Sequence, residues 1–164
     1  MKYFILSIVT ITLFFGCAPQ ADQVDLEAEK SAVREVVVQM ARAMQSEDVE
    51  MISNIVAHDP DMVNFGTDAA ERWVGWDDFE ASVRKQFQAF GASEVSASNQ
   101  VIKVHPSGQV AWFSEIMDWS IETQGQQVDL KGLRLTGVLE KHNDEWVLVQ
   151  MHFSVPVSGQ AAEY

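Results

Sequence analysis

The 164-residue sequence has a single cysteine, which excludes an internal disulfide framework and any metal site built from several thiolates. It is also short of positive charge. Eleven lysines and arginines stand against 24 aspartates and glutamates, a net charge of −13. Nucleic-acid partners are therefore excluded, because phosphates require clustered cations. No apolar run approaches the roughly 20 residues that span a bilayer. The one long stretch, Phe4 to Phe15, stops at twelve. Internal repeats, low-complexity tracts and a second domain are absent too. What remains is 47% hydrophobic residues, enough for one packed core at a length typical of a single domain of roughly 100–200 residues.

The first residues read as an address. Lys2 gives a positive start, and Phe4 to Phe15 has the length of a signal-peptide apolar segment. The run ends Leu13-Phe14-Phe15-Gly16-Cys17. A small residue before a lone cysteine, just after an apolar run, resembles the lipobox of bacterial lipoproteins, although Phe15 stands where a small residue is commoner. The resemblance implies a signal peptide over residues 1–16, lipidation of Cys17 and a tether over 17–27. Ala18 resembles the next position in outer-membrane-directed members. The expected location is thus the bacterial cell envelope, lipid-anchored in the outer membrane and facing the periplasm. Acyl chains contributing about 0.8 kcal/mol per buried CH₂ would hold it there. The competing reading makes Cys17 a bystander beside an ordinary secretory cleavage site. The folded domain is expected over 28–157, with a tail at 158–164.

From Asp25 the apolar spacing is helical, with Val33, Val36, Val37, Met40 and Met44 on one stripe. Asp48 is placed to cap a short second helix that turns Ile52, Ile55 and Val56 inward. Met62 to Phe65 and Arg72 to Val74 read as a strand and its return. Gly75-Trp76-Asp77-Asp78 opens a third helix with the stripe Phe79, Val83, Phe87 and Phe90, which Gly91 is expected to stop. After Gly91 the period becomes two. A strand to Val104 is followed by three more at Val110–Glu122, Val128–Glu140 and Glu145–Val155, an antiparallel meander. Helices followed by a strongly bent sheet give an α+β class.

That order of elements, and the string Trp146-Val147-Leu148-Val149-Gln150-Met151-His152-Phe153-Ser154-Val155-Pro156, resemble the nuclear-transport-factor-2-like (NTF2-like, cystatin-like) superfamily and its SnoaL-like branch. Leu133-Arg134-Leu135-Thr136 and Val110-Ala111-Trp112 resemble the two preceding strands. The resemblance implies a cone in which three N-terminal helices pack on a strongly curved antiparallel sheet, with a pocket at one end and a homodimer formed through the sheet. Members include isomerases, dehydratases, hydrolases and cyclases as well as binding and assembly modules, so the fold does not decide the function. Steroid-isomerase chemistry needs a tyrosine donor, a carboxylate base and a second acid. In this chain those positions fall on Met40, Asn64 and near Gly137, none of which can perform the role. No cofactor and no metal are implied.

His58, Asp59 and Asp61 could form a metal-ligand or acid/base cluster but read better as a capped helix end and a solvated turn. His105 and His142 read as turn residues. Strict alternation along the last strand puts Val147, Val149, Met151, Phe153 and Val155 inward, and Trp146, Leu148, Gln150, His152 and Ser154 outward. His152 then belongs to the outer face with Arg134 and Thr136, and is only a weak catalytic candidate. The expected ligand pocket is Met40, Asn64, Trp73, Phe87, Trp112, Ser114, Leu135, Met151 and Phe153, apolar walls with sparse polar anchors. Glu115 and Asp118 break the alternation expected of their strand and suggest a bulge, and either one turned inward would be the other weak catalytic candidate. The leading reading is a lipid-anchored protein that binds an unidentified small apolar molecule. The alternatives are a lyase, isomerase or hydrolase, and a structural dimerisation module.

Overall fold

The structure, a computed structural model, describes residues 24–159. The expected signal peptide, the expected lipobox at Cys17 and the last residues of the expected tail lie outside the described residues. Asp25 caps helix α1 (Leu26–Ser46), its Oδ1 accepting from the backbone N–H groups of Glu27 and Ala28. Asp48 caps α2 (Val49–Ile55) through the Met51 N–H, as the sequence leads one to expect. The hairpin β1 (Val63–Phe65) and β2 (Arg72–Val74) precedes α3 (Trp76–Ala89), and then come β3 (Phe90–Val104), β4 (Val110–Thr123), β5 (Gln126–His142) and β6 (Glu145–Ser154). One six-stranded sheet in the order β2-β1-β6-β5-β4-β3 carries α1, α2 and α3 on its inner face.

Two expectations about this framework need correcting. The sheet is not wholly antiparallel, because β1 lies parallel to β6. Nor does Gly91 stop α3. The helix gives way at Phe90, whose φ of −88° and ψ of 153° are already extended, and Gly91 sits inside β3.

Bulges bend the long strands, and they decide which side chains reach the interior. In β3 the pair Asn99 and Gln100 faces the single residue Glu115, with Asn99 at φ 53°. In β5, Lys131 and Gly132 face Asp118, with Gly132 at φ 66°. In β6 an extra residue, Val149, falls between the pairings of Leu148 and Gln150. This last bulge reverses the facing expected at the start of β6. Trp146 and Leu148 are buried and Val147 is not, whereas Met151 is buried and His152 is exposed as expected. The core is continuous from Val33, Val37 and Met40 on α1 to Phe113, Met117, Leu133, Leu135 and Leu139 on the sheet. At one end the Glu29 carboxylate accepts from Lys141 Nζ and Trp146 Nε1, fastening the start of α1 to the β5–β6 hairpin.

Candidate functional site

At the other end the helices and sheet do not close completely. A cavity of about 270 Å³ remains between them. Its walls come from α1 (Met40, Met44), α2 (Ile52), α3 (Phe79, Val83, Phe87), β4 (Trp119, Ile121) and β6 (Met151, Phe153), with Trp73 of β2 beside them. Trp73 packs edge-on against Phe79 with ring centroids 5.8 Å apart. The Trp119 indole N–H is satisfied by Ser93 Oγ at 2.9 Å, so that ring offers the cavity an apolar surface. Phe65 and Thr67 are the exposed lining residues and mark the mouth, with the half-buried Glu71 of the β1–β2 turn beside them.

The wall is largely apolar, with the amides of Gln86, whose Nε2 donates to Ser82 Oγ at 3.1 Å, and of Asn64 set into it. Asn64 is only 2% exposed. The parallel register places it opposite Met151, and its Oδ1 accepts the Met151 N–H at 2.8 Å. That bond fixes the amide, and Nδ2 has no partner among the described residues. A buried donor without a partner costs about 1–3 kcal/mol, a cost that a ligand acceptor would remove.

The mouth has a second fixed group. Glu71 Oε2 accepts the N–H groups of Thr67 at 2.7 Å and Asp68 at 3.0 Å. Its side chain folds over Gly66, where a Cβ would overlap Oε2 and come within 2.8 Å of Glu71 Cβ and Cδ. Glycine at 66 is therefore what lets the carboxylate lie across the strand end. Among the described lining residues Glu71 is the only charged one, and no lysine, arginine or histidine lines the cavity.

Six of the nine expected pocket residues meet here: Met40, Asn64, Trp73, Phe87, Met151 and Phe153. Three do not. Leu135 is fully buried in the packed core but does not line the cavity. Trp112 and Ser114 lie on the outer face of the sheet and are exposed. The physical reason is that β4 alternates without a break: Ala111, Phe113, Glu115, Met117, Trp119 and Ile121 all turn inward, because the extra residues belong to β3 and β5.

The weak catalytic candidates separate accordingly. Glu115 is buried, and its Oε2 accepts from Gln100 Nε2 at 3.0 Å while its Oε1 is unpartnered. Burial pushes its carboxyl above the ordinary range, with the Gln100 hydrogen bond acting in the opposite sense. Glu115 nevertheless lies outside the cavity, joined through Gln100 to Arg34 of α1. Asp118 faces outward and accepts the Gly132 N–H at 2.8 Å, the bond that chiefly holds its carboxyl below the ordinary range. His152 is exposed on the outer face, opposite Thr136 and 5.5 Å from the Phe65 ring. His58 stacks on Trp76 at 4.2 Å and bonds the Ser53 carbonyl, a helix-end arrangement. His105 bonds Ser107 within its turn. Gly137 is buried in β5, where a Cβ would press on the Phe113 ring and lie 2.8 Å from the Gln150 carbonyl oxygen.

Glu71, Thr67 and Gly66 were not expected at the site. The only signal for them in the sequence is a glycine directly after a short strand. Met44, Ile52, Val83 and Trp119 carried a signal, as helical stripe or strand alternation, but one that does not distinguish a cavity wall from packed core.

Comparison with known proteins bears on the fold. A family model described as a SnoaL-like domain matches residues 33–158. No curated protein matches the chain. Among solved structures, an NTF2-like superfamily protein from Salmonella enterica serovar Typhimurium aligns with a TM-score of 0.74 at 16% identity, covering 84% of this chain and 98% of its own. A Streptomyces avermitilis protein of the NTF2-like family, proposed to be a dehydratase, aligns at 0.71 and 15% identity, covering 80% and 99%. A proposed scytalone dehydratase from Novosphingobium aromaticivorans aligns at 0.70 and 12% identity, covering 80% and 86%.

Proposed function

The chain belongs to the SnoaL-like family, and from that premise we propose that it binds a small, largely apolar molecule in the cavity between its helices and sheet. The observation that carries this reading is that Asn64, whose Nδ2 has no partner among the described residues, lines a largely apolar cavity. An apolar cavity with few convergent polar groups is the usual make-up of a small-molecule site. A volume of about 270 Å³ suits a molecule of about one ring, since pockets for drug-sized ligands run to roughly 300–1,000 Å³. Asn64 as the orienting donor, Met40, Met151, Phe87 and Phe153 as walls, and Trp73 near the mouth make up the proposed site.

Catalysis is the second reading, supported by the structural likeness to two proposed dehydratases. Its candidate base moves from Glu115 and Asp118, which lie outside the cavity, to Glu71, the one acid in the lining. The amide of Asn64 cannot take a proton at neutral pH, so an acid–base pair inside the cavity would have to use Glu71 with a group of the substrate.

Around this domain the reading keeps a lipid anchor at Cys17 in the bacterial envelope and a homodimer through the outer sheet face. The dimer is supported by Trp112 and Val101, which are 47% and 52% exposed on that face. Replacing Cys17 by serine is expected to release the protein from membranes. Unchanged membrane fractionation and processing would contradict the anchor. The binding reading is tested by native mass spectrometry of the domain from Ala18 onward, purified gently from its own host. A co-purifying small molecule is expected, and an empty protein that also ignores single-ring ketones would count against it.

A further inference from the structure

Deepening the cavity-binding reading, on which it rests, we propose that the site selects its ligand by charge. The favoured molecule carries a neutral hydrogen-bond acceptor at its buried end and a cationic N–H donor, an ammonium group, at the mouth. The two anchors are Asn64 and Glu71, and the fold sets their spacing.

Phe65 faces outward, where it meets His152, so Asn64 and residue 66 turn inward together. Residue 66 is glycine, and the Glu71 carboxylate occupies the space its side chain would fill. The carboxylate thus stands one pleat from Asn64, about 7 Å along the strand by the ordinary rise of about 3.3 Å per residue. Its position is fixed, because Oε2 is tied to the Thr67 and Asp68 N–H groups while no described residue donates to Oε1. Asn64 and Glu71 both line the same cavity.

The chemistry at the two ends differs. Asn64 Nδ2 offers a donor in a dry setting and has no cation beside it, so it suits a ketone, ether or ring nitrogen better than a carboxylate. An anion would lose its hydration against a largely apolar wall and meet the negative Glu71 in that wall, since Arg72 and His152 line the adjoining groove on the far side of Phe65 and Phe153 and not the cavity itself. The chain's net charge of −13 opposes its approach as well. An ammonium at the mouth keeps part of its water and gains a charge-assisted hydrogen bond.

Four single-ring probes test this on the full chain, read by the fluorescence of the cavity tryptophans Trp73 and Trp119. They are 4-(aminomethyl)acetophenone, 4-acetylbenzoate, the neutral 4-isopropylacetophenone, and 4-isopropylbenzylamine, which lacks the carbonyl. The aminoketone is expected to bind about tenfold or more tighter than the acetylbenzoate, and about tenfold tighter than the amine without the carbonyl. Glu71→Gln is expected to bring the two charged ketones together while leaving the neutral ketone unchanged. Gly66→Ala, which displaces the carboxylate without deleting it, is expected to narrow the same gap. A charge preference that survives Glu71→Gln, or an acetylbenzoate that binds as well as the aminoketone, overturns the proposal. Binding of the neutral ketone without charge preference overturns it while sparing the cavity reading. Failure of all four probes to bind overturns both.

Discussion

Among the described residues Asn64 and Glu115 are the two buried polar side chains of the core, and each satisfies one polar atom and leaves the other unpartnered. Asn64 Oδ1 accepts the Met151 N–H while Nδ2 has no partner among the described residues, and Glu115 Oε2 accepts from Gln100 Nε2 while Oε1 has none among them. They differ in what surrounds the free atom. Asn64 borders a void large enough for a ligand, whereas Glu115 lies outside it, in the part of the core joined through Gln100 to α1. On the binding proposal, the same electrostatic defect is a ligand position in one place and a cost to stability in the other. An unsatisfied atom points to function only when the packing leaves room for a partner.

The largest effect that could break the comparison is loss of the Asn64 amide. Asn64→Ala removes the acceptor for the Met151 N–H and should cost about 1–3 kcal/mol in urea denaturation. A cost near zero would mean that the Asn64–Met151 bond does not hold the amide in place. Glu115→Met should act in the opposite direction and stabilise the fold by roughly 1–2 kcal/mol at pH 8, since it deletes a buried carboxyl that is only half satisfied. Destabilisation instead would assign Glu115 a partner or a role that the structure does not contain.

The pH dependence sharpens the contrast further. Because burial raises the Glu115 carboxyl, the folded state holds that proton more tightly than the unfolded chain. Its contribution is fully present below the ordinary glutamate value and is lost as pH rises through the raised folded value. Wild-type stability should therefore lose more over that interval than Glu115→Gln does, as followed by thermal melts across pH. The smallest effect belongs to Asp118, whose carboxyl is lowered by the Gly132 N–H and by Lys131. Its contribution is present above the ordinary aspartate value and is lost as pH falls through the folded one. Asp118→Asn should weaken the fold slightly at neutral pH, and the difference should vanish in acid.

The framework was legible because local chemistry determines it. Asp25 and Asp48 cap the helices that the apolar stripes outline, and period-two alternation marks β3 to β6 with ends within a few residues. The departures all come from contacts between distant segments. The Val149 bulge depends on pairing with β5, so strict alternation misassigned Trp146 and Leu148. The Asn99–Gln100 and Lys131–Gly132 bulges lie on β3 and β5, and so the phase of β4 was open and Trp112 and Ser114 were placed inward. The parallel pairing of β1 with β6, which points Asn64 into the cavity, has no local signature either. Glu71 belongs to the site only because Gly66 leaves it room, a three-dimensional fact that no periodicity records.

The account depends most on the Asn64 amide meeting a ligand acceptor inside the cavity. Its side-chain ¹H–¹⁵N resonance, followed while 4-isopropylacetophenone is titrated into labelled protein, reports on that contact directly. The account predicts a saturable shift of the Asn64 amide protons together with the Trp73 and Trp119 indole signals. Indole shifts with an unmoved Asn64 amide, or no saturable shift at all, would contradict it.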